Sequence, residues 1–445
     1  MFDHSRARFE EITQSVLQQA AGLGATAAAT DVSESSGLSV NVRKGKVETI
    51  EQTRDKGLGV TVYVGTRRGH ASTSDFSSKA VTQTVKAAFE IARFTGEDPF
   101  AGLPDPDTLA RSHVDLDLFH PWLIDAEAAV ALACRMEGAA FSTSPAIRNS
   151  EGASVSVSHG HFVSANSLGF SDGYPYSRHS IACSPIAQRG RAMQRDDWYS
   201  SARHPDRLAD PEAVGRYAAE RALARLGARK LGTRKVPVLF ESPLACGLIG
   251  HFVQAVSGAA LYRKASFLVD SLGTQVFAPG VDIREDPLQP GEFGSTPFDD
   301  EGVVTRARDV VRGGVVQGYF LSTYSARKLG MKTTGSAGGA HHLRMTASGT
   351  RARDDLPAML RKLGTGLFVT ELMGHGVNNV TGDYSRGASG YWVEDGVIQY
   401  PVEEITVAGN LRDMFRGIAA VGADEVSRGA RRCGSVLIEQ MAVAG

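Results

Sequence analysis

The sequence predicts an α+β protein: an N-terminal unit of helices and β-hairpins packed on a mixed sheet, then a C-terminal domain rich in antiparallel strands. Three observations carry that prediction. Helical and strand patterns are interspersed without the regular βαβ repetition of a doubly wound sheet. Two hairpin patterns follow the first amphipathic segment directly, and glycine-punctuated short strands fill the C-terminal half. At 445 residues the chain exceeds one ordinary core. Its punctuation divides it into an N-terminal α+β unit (1–110), a middle α+β unit packed with it (111–230) and a mainly β C-terminal domain (231–445).

Within residues 8–23, Phe9, Ile12, Val16, Leu17, Ala20 and Leu23 share one face at helical spacing, and Gly24 closes the segment. LSVNVRKGKVETIEQ alternates apolar and polar residues around Gly45, and GVTVYVGTRRGHAST does so around residues 65–69, which predicts two hairpins. SSKAVTQTVKAAFEIARF has a serine cap at Ser77 or Ser78 and helical periodicity. The Pro, Gly and Asp rich GEDPFAGLPDPDT ends this unit. The middle unit reads as a helix in DAEAAVALACRMEGAAF, strands at SVSVSHGHFVSANS and near SRHSIACSPIA, and a helix DPEAVGRYAAERALARLG ending at Gly227. ARKLGTRK looks like a linker. VPVLFES is then a short apolar strand leading into LACGLIGHFVQAVSGAALY, a glycine-interrupted helix-like segment. Strands follow within FDDEGVVTRARDVVRGGVVQGYFLSTYSARK, GLFVTELMG and GYWVEDGVIQYPVEEITVAGN, with a closing helix around 411–419.

Apolar residues make up 42% and charged residues 22% of the chain, so a large core is available and a disordered chain is excluded. The 48 basic and 49 acidic side chains nearly cancel, no run of five like charges occurs, and RKGK (43–46) and ARKLGTRK (228–235) read as solvated turns. Nucleic acid is therefore not an expected partner. MFDHSRARFEE carries acids and no apolar signal core, and no stretch of about 18 uninterrupted apolar residues occurs, so the expectation is a cytoplasmic chain with no membrane contact. Cys134, Cys183, Cys246 and Cys433 lack CxxC spacing, which indicates neither a disulfide framework nor a zinc knuckle.

TELMGHG (370–376) is one substitution from the HExxxH pattern of a zinc peptidase. In a straight helix, however, residues five apart differ by about 140° around the axis, so Thr370 and His375 would not share a face. Leu367, Phe368 and Val369 read as a strand, and Gly374 and Gly376 flank the histidine, so a strand running into a turn is the better reading. Thr370 is also a poor replacement for an imidazole ligand, which leaves His375 a structural or binding-loop residue. His159 and His161 would point to one face of a strand, a spacing one metal can use, but no third ligand lies at a telling distance and a solvated hairpin face is expected. His341 and His342 read as a loop pair after GSAGGA. Asp383, Tyr384, Ser385 and Arg386 offer acid, phenol, hydroxyl and guanidinium in one short loop. With His375 and Asn378 they form a candidate peptide or partner-binding set. No GxSxG occurs, Cys246 in its Leu, Ala and Gly context looks like a small buried thiol, Gly57 and Gly59 precede a strand, and there is no Walker A pattern.

SPLACGLIGHFVQAVSGAALYRKASFLVDSLG, STPFDDEGV, LSTYSARKLGMKTTGSAGG and above all GTGLFVTELMGHGVNNVTGDYSRGASGYWVEDGVIQYPVEEITVAGNLRDM closely resemble the PmbA family, also called TldE, of the TldD/PmbA proteins. The N-terminal GLGVTVYVGTRRGHASTSD looks like it too, so the resemblance spans essentially the whole chain. It implies a cytoplasmic heterodimer of a TldD-like catalytic subunit and a TldE subunit, acting as a zinc peptidase on small or unfolded peptides. In TldD-type chains the HExxxH lies on a helix just after a strand, followed by a Gly-Leu-x-Gly segment, and a later Cys completes the site. Laying GLIGHF on that segment puts the first His at Glu241, the Glu at Ser242 and the second His at Cys246; counting back from WVEDG puts the Cys at Ala388. A zinc site needs about three protein ligands, an open position and a general base. The resemblance thus implies a degenerate site with no catalytic residue intact and no metal or cofactor in this chain, zinc belonging to the TldD-like partner. A homodimer in isolation is a further possibility. The alternative reading is a non-catalytic peptide-binding or regulatory protein that acts without a protease partner, in line with the family's label of gyrase modulator.

Overall fold

Helix α1 (Arg6–Gly22) begins where the Ser5 hydroxyl accepts the Arg8 amide, and the chain leaves it through Gly24 at φ +92°, a left-handed position that glycine takes without steric cost. The computed structural model describes residues 2–445 and divides them into two compact units: 2–223 with Pro297–Thr305 (unit 1), and Ala224–Thr296 with Arg306–Gly445 (unit 2).

Unit 1 is built on one sheet. Strands β1 (Ala27–Arg43) and β2 (Lys46–Val64) pair from Ala27↔Tyr63 to Arg43↔Lys46. Their turn puts Lys44 and Gly45 at positive φ, the conformation that matches strand twist. Strand β3 (Arg67–Thr73) returns along β2, and α2 (Ser78–Phe94) starts at the Ser77 cap. These elements bury Phe9, Ile12, Val16, Val32, Leu58, Val60, Val62, Val81 and Val85 together. After α3 (Ala126–Thr143), capped by Asp125, strand β4 (Ile147–Asn166) pairs with β1, so residues on both sides of position 110 share this sheet. β5 (Ser171–Asp172), β6 (Pro175–Arg189), β7 (Ala192–Arg195) and β8 (Trp198–Ala202) complete an order β3-β2-β1-β4-β6-β7, with β5 on β4 and β8 on β6. All these pairings are antiparallel. Helix α4 (Pro211–Ala224) crosses α3 closely at Gly215, where a Cβ would overlap the Met136 carbonyl. The distant segment Pro297–Thr305 joins this unit through a Leu109↔Val303 bridge and Phe298, which packs on Phe170 and Tyr174.

Unit 2 opens with strand β9 (Arg234–Phe240), helix α5 (Ser242–Ala255) and helix α6 (Gly258–Tyr262). There follow β10 (Val281–Glu285), β11 (Arg308–Arg312), β12 (Val315–Val316), α7 (Thr323–Lys328), β13 (Leu343–Ala347), α8 (Leu356–Leu363) and β14 (Gly366–Met373). The chain finishes with β15 (Asp383–Glu394), β16 (Val397–Asn410), α9 (Leu411–Arg416), β17 (Ile418–Val421), β18 (Val426–Arg428), β19 (Arg431–Cys433) and β20 (Val436–Ala444). One sheet runs β12-β11-β10-β13-β19-β18; the other runs β16-β15-β14-β9-β20-β17, and an extra β16–β20 pairing closes five of its strands into a ring. Parallel pairs occur here, β9 with β14 and β13 with β19. Helix α5 buries Ala245, Cys246, Leu248, Ile249 and Phe252 in the unit's core. The helix expected to close the chain ends at Arg416 and four strands follow it. Leu411, Met414 and Phe415 supply one helical face, and β17 to β19 are only three or four residues long, too short to show a period in the sequence.

Candidate functional site

Strand β9 delivers the chain to Glu241, whose amide donates to the Val369 carbonyl on β14 at 3.0 Å. Val369 pairs in turn with Gly390, two residues beyond Ala388, so the ring of strands fixes the start of α5 against β14 and β15. Glu241 is the N-cap residue of α5, with Pro243 in the first turn where its missing N–H costs nothing. Ser242 is 3% exposed, and its hydroxyl donates to the Cys433 carbonyl at 2.7 Å.

One turn on, the Cys246 sulfur lies 3.5 Å from the Val426 carbonyl and 3.7 Å from that of Arg431. Burial pushes its thiol up to about 11, against the pull of Arg428 and Arg431. Cys433 is fully buried and raised well above the ordinary thiol range, by burial first and by Cys246 second. Ala388, on β15 between Leu372 and Ile405, is fully buried and offers a methyl group only.

Further along α5, a Cβ on Gly250 would stand 2.6 Å from Nη1 of Arg431, so that guanidinium lies directly on the helix backbone. Burial, then Arg386 and Arg431, pull the next residue, His251, down to about 4, so its imidazole is neutral at physiological pH. The Tyr384 ring meets it edge-on at 5.9 Å between centroids. Burial pushes Tyr384 up to about 12, with Arg386 opposing. Arg386 itself donates from Nη2 to the Leu372 carbonyl at 3.4 Å, and its Nε is buried without a partner among the described residues. Sequence reasoning did not single out His251 or Arg431. The available signal was Gly250, four residues after Cys246 and so on the same side of a helix, with a histidine next to it.

The 370–376 segment is a strand end running into a turn, as its pattern predicts, and β14 stops at Met373. His375 is exposed, and its carbonyl accepts the Val377 amide at 2.7 Å in a three-residue turn. Asn378 works within the turn, its side-chain oxygen accepting the Val380 amide at 2.9 Å. Asp383 accepts from the Thr381 hydroxyl at 2.6 Å and from Asn410 at 3.2 Å, and these bonds hold its carboxyl below the usual range. Asp383, Tyr384, Ser385 and Arg386 do not form a loop. They begin β15, with Asp383 and Ser385 exposed, Tyr384 buried and Arg386 half-buried in strand alternation. The neighbouring glycines that suggested a loop instead allow close approach: a Cβ on Gly376 would overlap the Ser385 carbonyl.

The other histidine pairs are buried. His159 and His161 face the interior of unit 1 rather than solvent, because α1 and the segment around Trp122 cover that face of β4. His161 contacts Glu34 at 2.8 Å and stacks on Phe9, and His4 contacts the same carboxylate at 2.9 Å. His159 accepts the Trp122 amide at Nε2, and burial with neighbouring His179 pulls it down to about 4. His341 and His342 lie in a loop but are buried, the His341 amide donating to Glu285 at 2.8 Å. Among the described residues no three His, Cys, Asp or Glu side chains gather into a metal-binding group, and no helix is long and apolar enough to cross a membrane.

Three family profiles cover most of the chain: PmbA/TldA metallopeptidase domain 1 at residues 30–92, the central domain at 119–226 and the C-terminal domain at 233–445. The chain is 46% identical over 440 residues to "Metalloprotease PmbA" of Escherichia coli O157:H7, covering 99% of this chain and 97% of that protein. Its fold is similar to that of a crystallised protein from Bacteroides thetaiotaomicron described as a candidate modulator of DNA gyrase, with TM-score 0.91, 25% identity and 98% of each chain covered. It is also similar in fold to TldE from Thermococcus kodakarensis, with TM-score 0.84, 17% identity and coverage of 98% and 100% of the two chains.

Proposed function

The chain belongs to the PmbA/TldD metallopeptidase family, and from that premise we propose that it is the subunit of a TldD/TldE-type peptidase that lacks the zinc site. In this reading it works in the cytoplasm beside a TldD-like partner, which supplies the zinc, and it helps hold an extended peptide substrate. Polypeptide can be held by pairing with a strand edge, which reads the backbone and so tolerates many sequences.

The observation that carries the proposal is the chemistry of the four motif positions. They hold the Glu241 carboxylate at a helix N-cap, a Ser242 hydroxyl committed to the Cys433 carbonyl, a Cys246 thiol pushed up to about 11, and the Ala388 methyl. A zinc ligand set needs deprotonated donors converging on one point. Burial disfavours the thiolate, and the neighbouring guanidiniums of Arg428 and Arg431 add fixed positive charge beside the sulfur a cation would have to approach. A hydroxyl also cannot replace the carboxylate that takes a proton from attacking water. These residues do not fit zinc, and no catalytic step is assigned to them.

The test is a pull-down of the tagged chain from its native cytosol with a peptidase assay on what assembles. The expected outcome is co-purification of a related chain carrying an intact HExxxH, with peptide hydrolysis only when both chains are present. Hydrolysis by this chain alone, or its purification without such a chain from an extract that contains one, would contradict the proposal and favour the regulatory alternative.

A further inference from the structure

We propose that Arg386 and Arg431, together with His251 on the third turn of α5, form a site for a carboxylate group of bound peptide. The inference rests on the peptide-holding role above and names the chemical group held.

Several arginines of unit 2 are matched to an acid. Arg225 pairs with Glu371 at 2.5 Å, Arg308 with Glu285 at 2.7 Å, and Arg344 and Arg432 share Glu425 at 2.8 and 2.7 Å. Arg386 and Arg431 have no carboxylate within ion-pair distance among the described residues. Their placement is nevertheless specific. Arg431 is laid on the bare backbone of Gly250, and Arg386 is steadied by the Leu372 carbonyl while its Nε is enclosed without an acceptor. His251 links the two: Arg431 lies against Gly250 beside it in the chain, and Tyr384, which meets its ring edge-on at 5.9 Å, precedes Arg386 by two residues on the same face of β15.

Holding a partly desolvated guanidinium without a counter-charge costs free energy that an anion would offset. A carboxylate is the group whose two oxygens match the guanidinium fork, and neutral His251 can add a ring N–H as donor. On a peptide that carboxylate is either the C-terminus or an acidic side chain. His251 lies on α5, the helix that also carries Ser242 and Cys246.

The experiment measures binding of three fluorescent N-blocked pentapeptides to the full chain in complex with its partner: one with a free C-terminus, its C-terminal amide, and the amide carrying one Glu. The expected result is that the free acid or the Glu-bearing amide binds about tenfold or more tightly than the neutral amide. Which of the two gains identifies the carboxylate as terminal or side-chain. Arg431→Gln and Arg386→Gln are expected to abolish that preference, and Arg431→Lys to keep part of it. Equal affinity for all three peptides, or a preference that survives Arg431→Gln, would overturn the carboxylate site while leaving peptide holding in place. Failure of every peptide to bind would overturn both.

Discussion

At Ser242 a hydroxyl donates to a carbonyl at 2.7 Å in a position only 3% exposed, so Ser242→Ala leaves the Cys433 carbonyl without its donor. The expected cost is about 1–2 kcal/mol, seen as a lower urea midpoint with an unchanged slope. Buried histidines, His159 and His251 most strongly, contribute a pH dependence. Burial first, with His179 for His159 and with Arg386 and Arg431 for His251, pulls both down to about 4, whereas an unfolded histidine titrates near 6.5. Above about pH 6.5 neither state binds the proton and stability is unaffected. As pH falls from there towards 4 the unfolded chain binds protons first, so stability falls by at most about 1.4 kcal/mol per pH unit for each histidine. Glu34 acts lower down in the same direction. Burial would raise its pKa, but hydrogen bonds from His4 and His161 outweigh this and hold it below the usual range, so its contribution is lost as pH drops through that lowered value. Denaturant unfolding at pH 7, 5.5 and 4.5 checks the trend, and His159→Gln should flatten it. The alternation that puts His159 and His161 on one face was readable in the sequence; which face is covered was not, because the cover comes from residues more than thirty positions away.

Among the elements, the hairpins were legible because their turns announce themselves, as at Lys44 and Gly45, and α1 and α2 because their caps do. The strand followed by α5 was also readable, since VPVLFES is short and apolar and the glycines behind it sit in a helical period. Strand β15 was harder, since Gly382 and Gly387 read as loop punctuation whereas Gly387 and Gly390 lie within the strand. At Gly390 a Cβ would overlap the Phe368 carbonyl across the β14–β15 pair. Gly390→Ala is therefore expected to cost at least about 2 kcal/mol and to lower the thermal midpoint, because backbone rather than a flexible side chain must move. Gly250→Ala should do the opposite. Only the tip of Arg431 stands in the way, and alanine in a helix interior gains up to about 1 kcal/mol over glycine, so stability should hold or rise while the guanidinium is displaced.

Over the whole molecule, the antiparallel sheet of unit 1 takes strands from both sides of residue 110, and it recruits Pro297–Thr305 from far along the chain. No local pattern marks that recruitment, since its pairing is between positions almost two hundred residues apart. Phe298 is 4% exposed against Phe170, Tyr174 and Phe162, so Phe298→Ala should cost about 3–5 kcal/mol. A loss well under 1 kcal/mol in chemical unfolding would show that the segment is not part of that core. Of the site, the helix after β9 was readable in the sequence, but the guanidinium on Gly250 was not, because Arg431 comes from β19. The central claim is that this chain supplies no zinc centre of its own. Its most direct test is metal analysis of the purified chain after exposure to equimolar zinc and passage over a chelating resin: the account predicts far less than one zinc per chain and no peptidase activity, and one tightly held zinc with peptide hydrolysis in the absence of a partner would contradict it.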